Sequence, residues 1–268
     1  MKEYPGRLVL LGDPVSHSLS PIFQNAALKA AKIPLVYEAM EVKTRELRTV
    51  LRELKESNAA GNVTIPHKAS VHASCDELTD LAARVGAVNT FWFDAGKLYG
   101  DNTDVGGFDA AARALLGGET NGVHIVLLGA GGAAAAVLAA AETWTDAKVA
   151  IVARRPERVA ALARRFPDVA RVEKNAKHAL AGATLVVNAT PVGLEDEEHP
   201  LDVALIPRST AVMDLVYQRG GTSWVKAARK NGNRAADGLT MLLEQGALAF
   251  RCWFGMEPDR EAMRLSLV

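Results

Sequence analysis

The stretch Gly129-Ala130-Gly131-Gly132-Ala133-Ala134 restricts the possible fold more than any other part of this chain. It has the form G-x-G-x-x-A. It comes after an apolar run, His124–Leu128, and opens an alanine-rich segment, Ala133–Ala141, of good helix formers. The first glycine permits a tight turn, and the second lets the backbone approach a pyrophosphate. Ala134 keeps the helix close to the strand. The helix N-terminus then offers free N–H groups and a partial positive charge to an anion. An ordinary glycine-rich strand–helix turn could share this spelling. The succession beyond the loop argues for a nucleotide-binding sheet instead: a strand at Val149–Ala153, a helix at Pro156–Phe166, and further apolar strands at Leu185–Ala189 and Val212–Val216.

The end of the second strand sets the cofactor. An NAD enzyme places Asp or Glu there for the ribose hydroxyls. Here the chain reads Ala153-Arg154-Arg155-Pro156-Glu157-Arg158. A carboxylate would repel a 2′-phosphate, whereas arginine pairs with it. Three arginines at a solvated helix start is the competing reading. Positive charge opposes the dipole at a helix N-terminus, so a bound anion accounts for them better. NADP is the expected cofactor.

The first half also alternates strands and helices, which predicts an α/β protein with mainly parallel sheets. Leu8–Leu11 and Val36–Met40 read as strands. Ser20 and Pro21 read as N-cap and first residue of a helix with Ile22, Ala26 and Ala30 on one face. Leu47, Val50, Leu51 and Leu54 fall at helical spacing, as do Leu78, Leu81, Ala82 and Val85, with Gly86 as a C-cap. Val88–Phe93 and Lys97–Gly100 flank Asp94-Ala95-Gly96 as a hairpin. The predicted division is a substrate-binding domain over residues 1–105, an NADP-binding Rossmann-type domain over 106–238, and C-terminal helices over 239–268 that pack back on the first domain. The helix Val105–Leu116 makes the connection.

Composition excludes several function classes. The 268 residues carry 31 Lys plus Arg and 31 Asp plus Glu, a formal net charge of zero. That balance does not suggest a nucleic-acid or anionic-membrane partner. Cys75 and Cys252 form no CxxC pair, Cys75 on a predicted helix and Cys252 in an apolar stretch, and both read as packing residues in a reducing compartment. The six histidines lack zinc-site spacing. No segment approaches a membrane span or a signal peptide, so a cytoplasmic location is expected. Monomer and homodimer both stay open.

Four polar clusters sit where strands begin or end: Ser16-His17-Ser18-Leu19-Ser20-Pro21, Gly61-Asn62-Val63-Thr64-Ile65-Pro66-His67-Lys68, Gly86-Ala87-Val88-Asn89-Thr90 and Gly100-Asp101-Asn102-Thr103-Asp104. Ligands bind at the carboxyl ends of open sheets, so these clusters converge if the strands share a direction. Hydroxyls, amides, an amine and a carboxylate suit a small polyhydroxylated acid. Asp104 alone would also serve as the N-cap of the helix starting at Val105, and Lys68 alone as a solvated lysine. His17 and His67 adjoin these motifs, but the pattern is carried by their neighbours.

With these clusters, the motifs G-A-G-G-A, N-A-T-P-x-G and Q-G-A-L-A-F complete a series, in order, that resembles the shikimate dehydrogenase family over almost the whole chain. The resemblance implies a substrate domain joined to a Rossmann-type domain, and NADPH-dependent reduction of 3-dehydroshikimate to shikimate on the route to chorismate and aromatic amino acids. It implies that Ser16 and Ser18 bind the substrate carboxylate, and that Thr64, Asn89 and Gln245 bind its hydroxyls. Tyr217 matches the family's substrate-side tyrosine. Lys68 and Asp104 would form the catalytic pair. On the cofactor side it implies Gly129, Ala130, Gly131, Gly132 and Ala133 at the phosphates and Arg154 at the 2′-phosphate, where Arg155 and Arg158 add charge of their own. Thr190 and Val192 fall in the family's cofactor-facing turn, Val216 just precedes the tyrosine, and Gly238 and Met241 resemble family residues near the nicotinamide.

The chemistry fits the pair. Hydride delivered to a ketone leaves an alkoxide that needs a proton. An ammonium can stabilise and protonate it, and an adjacent carboxylate can orient the ammonium. Two departures from the family are local. Its N-R-T string is Ala153-Arg154-Arg155 here, which trades an amide and a hydroxyl for a charge. Its Y-x-P-x-x-T string is Tyr217-Gln218-Arg219-Gly220-Gly221-Thr222, in which the proline is lost beside two glycines. Two other readings share most of these residues: a dual quinate/shikimate dehydrogenase using NAD, and a non-catalytic relative that senses the same ligands.

Overall fold

Strand β1 (Arg7–Gly12) is apolar at nearly every position because both of its faces are covered. Leu8 and Leu10 enter one core cluster, Val9 and Leu11 another. In the computed structural model, which describes residues 4–267, the first half continues through α1 (Ser20–Ala30), β2 (Tyr37–Glu41), α2 (Leu47–Glu56), β3 (Ala59–Val63), α3 (Lys68–His72), β4 (Glu77–Leu78), α4 (Asp80–Val85), β5 (Thr90–Asp94), β6 (Lys97–Asp101) and α5 (Asp104–Leu116). The second half runs β7 (His124–Leu128), α6 (Gly132–Ala141), β8 (Lys148–Val152), α7 (Pro156–Arg165), β9 (Ala170–Val172), α8 (Ala176–Ala179), β10 (Leu185–Asn188), β11 (Ala211–Asp214), α9 (Ser223–Asn231), β12 (Ala235–Ala236), α10 (Leu239–Phe254) and α11 (Arg260–Leu265). The chain divides into two units. One comprises residues up to Gly107 together with those from Leu242 onward; the other is Phe108–Met241.

The first unit holds a six-stranded sheet in the order β2-β1-β3-β5-β6-β4. It is mixed, not wholly parallel: β5 runs against both β3 and β6. The tight turn after Asp94, where Ala95 and Gly96 both take positive φ, 47° and 76°, sets β6 against β5, while β5 itself is laid down against β3 after α3, β4 and α4. This reversal brings the start of β5 to the same sheet edge as the ends of β1, β3 and β6. One face packs Leu8, Leu10 and Phe23 against Ala247, Phe250 and Trp253 of α10. The other packs Val9 and Leu11 against Leu47, Leu51 and Leu54 of α2.

Some sequence expectations fail here for identifiable reasons. Helix α1 begins at Ser20 itself, and Leu19 holds the cap position without a side-chain bond. Ser18 Oγ receives the Ser20 N–H at 3.2 Å, which turns the backbone before Ser20 can act as a cap. The buried face of α1 carries Phe23, Gln24, Ala27 and Leu28, not the expected Ile22, Ala26 and Ala30; Ile22 is 39% exposed. Leu78 belongs to β4, paired with Gly100, so α4 starts only after Thr79, whose Oγ1 caps it by accepting the Ala82 N–H at 3.1 Å. Leu81 consequently faces solvent. Cys75 lies in the loop between α3 and β4, not on a helix.

The second unit is a six-stranded, wholly parallel sheet ordered β12-β11-β10-β7-β8-β9. Numbered from β7 as the first strand, this is the 3-2-1-4-5-6 order of a doubly wound dinucleotide fold. The order reverses between β7 and β10, and the loops after those two strands therefore flank the crevice where such folds bind ligands.

Candidate functional site

At the edge of the first sheet, α3 opens with Lys68 and α5 opens with Asp104. Lys68 Nζ donates to Asp104 Oδ2 at 2.5 Å. The two side chains are 20% and 8% exposed, so water screens the pair weakly while the ammonium keeps access to one side. Asp104 does not cap its own helix. Its Oδ1 instead accepts the Asn89 Nδ2 hydrogen bond at 2.8 Å. The carboxylate is thus held from both oxygens, once by a cation and once by an amide.

Asn89 is the hub. Its Oδ1 accepts the Thr103 N–H at 2.7 Å, which fixes the amide orientation and turns Nδ2 toward Asp104. The same Nδ2 reaches Thr103 Oγ1 at 2.9 Å and Gln245 Oε1 at 3.2 Å. Gln245 is brought there by α10, which approaches α1 closely at Gly246: Gln24 Nε2 donates to the Gly246 carbonyl at 2.9 Å. A Cβ on Gly246 would lie 2.3 Å from Phe23 Cε2. Behind Asn89 runs a buried polar chain with no sequence expectation attached to it. Tyr37 Oη donates to Asn62 Oδ1 at 2.8 Å, Asn62 Nδ2 donates to Thr90 Oγ1 at 2.9 Å, and Thr90 Oγ1 lies 3.0 Å from Thr103 Oγ1. Asn62 and Thr103 lie inside the polar motifs of the sequence; Tyr37 carries no local signal.

Thr64 lies half-buried just beyond β3, four residues before Lys68, and Ser16 and Ser18 sit after β1, exposed and half-buried respectively. The structure therefore gathers Lys68, Asp104, Asn89 and Gln245 into one bonded group, with Thr64, Ser16 and Ser18 on loops at the same edge. His67 is fully buried, and its Nε2 bonds the Val42 carbonyl at 2.6 Å, which anchors the loop that presents Lys68. Tyr217 falls in the other unit, half-buried after β11.

In the second unit, Gly129 takes φ +119°, and a Cβ there would lie 2.8 Å from the Ala189 carbonyl oxygen. Glycine is needed at that position for the turn itself. Gly131 differs: it takes ordinary negative φ, −104°, and a Cβ on it would meet nothing within 4 Å. Its neighbours Gly132 and Ala133 begin α6, whose N-terminus has no side-chain cap. This leaves room and free N–H donors for an anion. Beyond β8, Arg154, Arg155 and Arg158 are exposed, and their side chains pair with no described residue. Arg155 is the N-cap position of α7 and contributes no capping bond. Across the switch point, Thr190 and Val192 occupy the turn after β10. Thr190 N and Oγ1 both donate to Asn188 Oδ1, at 3.0 and 2.6 Å. Val216 lies just past β11, and its carbonyl accepts the Gly238 N–H at 3.0 Å; Met241 is buried at the start of α10. Among the described residues no group of His, Cys, Asp and Glu could hold a metal ion, and no helix is long and apolar enough to cross a membrane.

Comparison with known proteins matches both regions. Residues 10–91 fit the model of the shikimate dehydrogenase substrate binding domain, and residues 238–264 that of the shikimate 5′-dehydrogenase C-terminal domain. A shikimate dehydrogenase (NADP(+)) of Symbiobacterium thermophilum is 39% identical, over 97% of this chain and 93% of its own. The crystal structure of shikimate dehydrogenase from Aquifex aeolicus superposes with a TM-score of 0.92 at 36% identity, covering 100% of this chain and 99% of that one. The Thermus thermophilus enzyme in complex with NADP(H) and shikimate superposes at 0.88 with 37% identity, covering 97% of this chain and 98% of that one.

Proposed function

The chain belongs to the shikimate dehydrogenase family, and we propose that it interconverts shikimate and 3-dehydroshikimate with NADP, using Lys68 and Asp104 to handle the proton. The observation that carries this reading is the 2.5 Å bond between Lys68 and Asp104, held from behind by Asn89. A lysine free in solvent would not be fixed in this way, and the lysine side chain, 20% exposed, stays open to a substrate oxygen on its other side.

The second unit fits NADP on its own geometry. Space beside Gly131 and the free N–H groups of α6 suit the pyrophosphate, and the uncommitted guanidinium of Arg154, with Arg155 and Arg158, suits the 2′-phosphate. Thr190, Val192, Val216, Gly238 and Met241 complete the cofactor side. When bound, the reduced cofactor supplies a hydride to the ketone carbon of 3-dehydroshikimate. Lys68 then gives a proton from its ammonium to the oxygen that becomes the shikimate hydroxyl, and Asp104 holds Nζ on that line. In the reverse direction neutral Lys68 accepts the hydroxyl proton. Thr64, Asn89 and Gln245 bind the hydroxyls, Ser16 and Ser18 the carboxylate, and Tyr217 is the substrate-side tyrosine. A cytoplasmic setting, where a thiol such as Cys75 stays reduced, fits this reading.

The test is shikimate oxidation monitored by the absorbance of NADPH, with NAD and quinate as parallel arms. Shikimate with NADP is expected to be the fastest combination. Comparable rates with quinate and NAD would favour the dual enzyme. No turnover in a folded sample that binds both ligands would favour a sensor.

A further inference from the structure

Asp214 is the last residue of β11, is 0% exposed, and plays no part in the proton chemistry of Lys68. Among the described residues no lysine, arginine or histidine pairs with it. Every hydrogen bond it accepts comes from a neutral donor, and the one charged group that acts on it, Asp237, is of like sign. Oδ1 accepts Asn188 Nδ2 at 2.8 Å and the Val216 N–H at 3.1 Å, and Oδ2 accepts Thr222 Oγ1 at 2.8 Å. A buried carboxylate without a cation is expensive, and an apolar residue would join the same strands at lower cost. Burial pushes the Asp214 carboxyl above its ordinary range, the hydrogen bonds from Thr222, Asn188 and Val216 oppose that, and the like charge of Asp237 adds to the push.

The three donors lie on segments that this fold directs at its cofactor crevice. Asn188 pairs in register with Asp214 across β10 and β11. Because its Nδ2 is taken by the carboxylate and by the Val192 carbonyl, at 3.2 Å, its Oδ1 is forced toward Thr190 N and Oγ1. An ionised carboxylate only accepts, so it cannot tolerate the flipped amide. One group thereby sets the Thr190–Val192 turn, the backbone of Val216 and the start of α9, where Thr222 Oγ1 also caps by accepting the Val225 N–H at 3.3 Å. The geometry points to Asp214 as a positioning residue for the cofactor: it orders, through Asn188 and Val216, the turn and strand end that NADP rests on. This rests on the reading that residues 190–192 and Val216 face NADP.

The experiment measures binary Kd values, not turnover. NADPH binding is monitored by its own fluorescence, and shikimate binding by calorimetry, for the full chain and for Asp214→Asn, Thr222→Val, Thr222→Ser and Asn175→Ala. Asp214→Asn keeps the size and the acceptor at Oδ1, but removes the charge and turns the bond to Thr222 Oγ1 from one the carboxylate accepts into one the amide must donate. It is expected to weaken NADPH by about tenfold, the scale of one charge-assisted hydrogen bond, with shikimate within about twofold. Thr222→Val removes one donor and is expected to weaken NADPH in the same direction, and Thr222→Ser to restore it. Asn175→Ala removes another side-chain cap of the same unit, that of α8, and is expected to leave the NADPH Kd unchanged. Folded Asp214→Asn binding NADPH as tightly as the parent overturns the inference, as does equal weakening of both ligands. If Asp214→Asn does not fold, Thr222→Val binding like Thr222→Ser overturns it. A parent chain that fails to bind NADPH at all removes the cofactor reading itself, and the inference with it.

Discussion

Replacing Lys68 by Met keeps the unbranched stem and removes only the ammonium. Two consequences can be sized. General acid–base catalysis by a positioned group contributes about 10²–10⁴-fold. At about 1.4 kcal/mol per tenfold this is roughly 3–5.5 kcal/mol of transition-state stabilisation. Turnover should fall by that factor. The KM for shikimate should move far less, because Thr64, Asn89 and Gln245 keep their places. The fold loses the cation beside Asp104, whose side chain is 8% exposed. A fully buried pair broken this way costs about 3–5 kcal/mol, but Lys68 is 20% exposed and water can enter its vacated space, so the loss here lies below that range. Asn89 still bonds Oδ1. The assay is steady-state shikimate oxidation, with circular dichroism and a thermal melt on the same preparation. Asp104→Asn and the double variant belong in the set: groups acting as one unit are strongly non-additive, so the double variant should lose little more than Lys68→Met alone. A folded Lys68→Met chain turning over within about threefold of the parent would refute the assignment, since that is well under the smallest contribution expected of a general acid.

Arg154→Ala should reduce the preference for NADP over NAD by about tenfold or more, as a lost charge-assisted bond to the 2′-phosphate requires; an unchanged ratio of kcat/KM values removes Arg154 from that contact. The two glycines of the loop should separate: Gly129→Ala meets the Ala189 carbonyl at 2.8 Å in a positive-φ conformation and should lower Tm, whereas Gly131→Ala meets nothing and should keep Tm but weaken NADPH binding. Thermal melts and fluorescence titrations of both variants decide this. Burial pushes the Cys75 thiol up to about 12, so at pH 8 its thiolate fraction is roughly 1 in 10⁴ and folded Cys75 should resist iodoacetamide, as mass spectrometry of the labelled peptide would read. Asp214 has its folded pKa raised above the ordinary value of 3.8; its protonated form therefore favours folding, and that contribution is complete below the unfolded value and lost as pH rises through the folded one. Urea midpoints of the parent relative to Asp214→Asn should accordingly decline as pH rises from the ordinary carboxyl value of 3.8 through the raised folded one; a flat or rising difference contradicts that sign.

The four central strands of the second unit, β7, β8, β10 and β11, are readable in the sequence because they are largely buried on both faces and spell themselves in continuous apolar letters, whereas the short, half-exposed edge strands β9 and β12 are not. The unit's glycine loop also marks where the strand order reverses. Ends are less readable. Val36 has the letter of a strand residue, yet β2 starts at Tyr37, where pairing with Leu8 begins, and Val36 faces solvent. Pairing partners decide such ends, and no local pattern contains them. In α1 two stripes compete, Ile22-Ala26-Ala30 and Phe23-Ala27-Leu28. The choice is made by α10, more than 200 residues away, whose Gly246 accepts Gln24 and meets Phe23. The same holds for the polar chain behind Asn89. Tyr37, Asn62, Thr90 and Thr103 occupy buried positions of four segments, and only the fold reveals that their hydroxyls and amides satisfy one another. Lys68, Asp104, Asn89 and Gln245 are legible as motif residues, but the amide orientation that binds Asn89 to Asp104 is not.

The two buried aspartates show why residue type alone does not settle a role. Both carboxylates are removed from water and both need donors. Asp104 is met by an ammonium, a donor able to pass a proton to an alkoxide, and by one amide that cannot. Asp214 is met by two amide N–H groups and a hydroxyl, none of which gives up a proton near neutral pH. The first arrangement can therefore take part in proton transfer, and its exposure on the lysine side gives the substrate oxygen a way in. The second can only fix geometry, and its complete burial suits that, since nothing needs to reach it. The difference lies in the donors, and those are set by the elements each aspartate terminates: Asp104 begins a helix opposite the start of α3, and Asp214 ends a strand beside Asn188. On the proposed reading, proton chemistry falls to the first unit and the ordering of the cofactor loop to the second, each dictated by which neighbours the sheet register supplies.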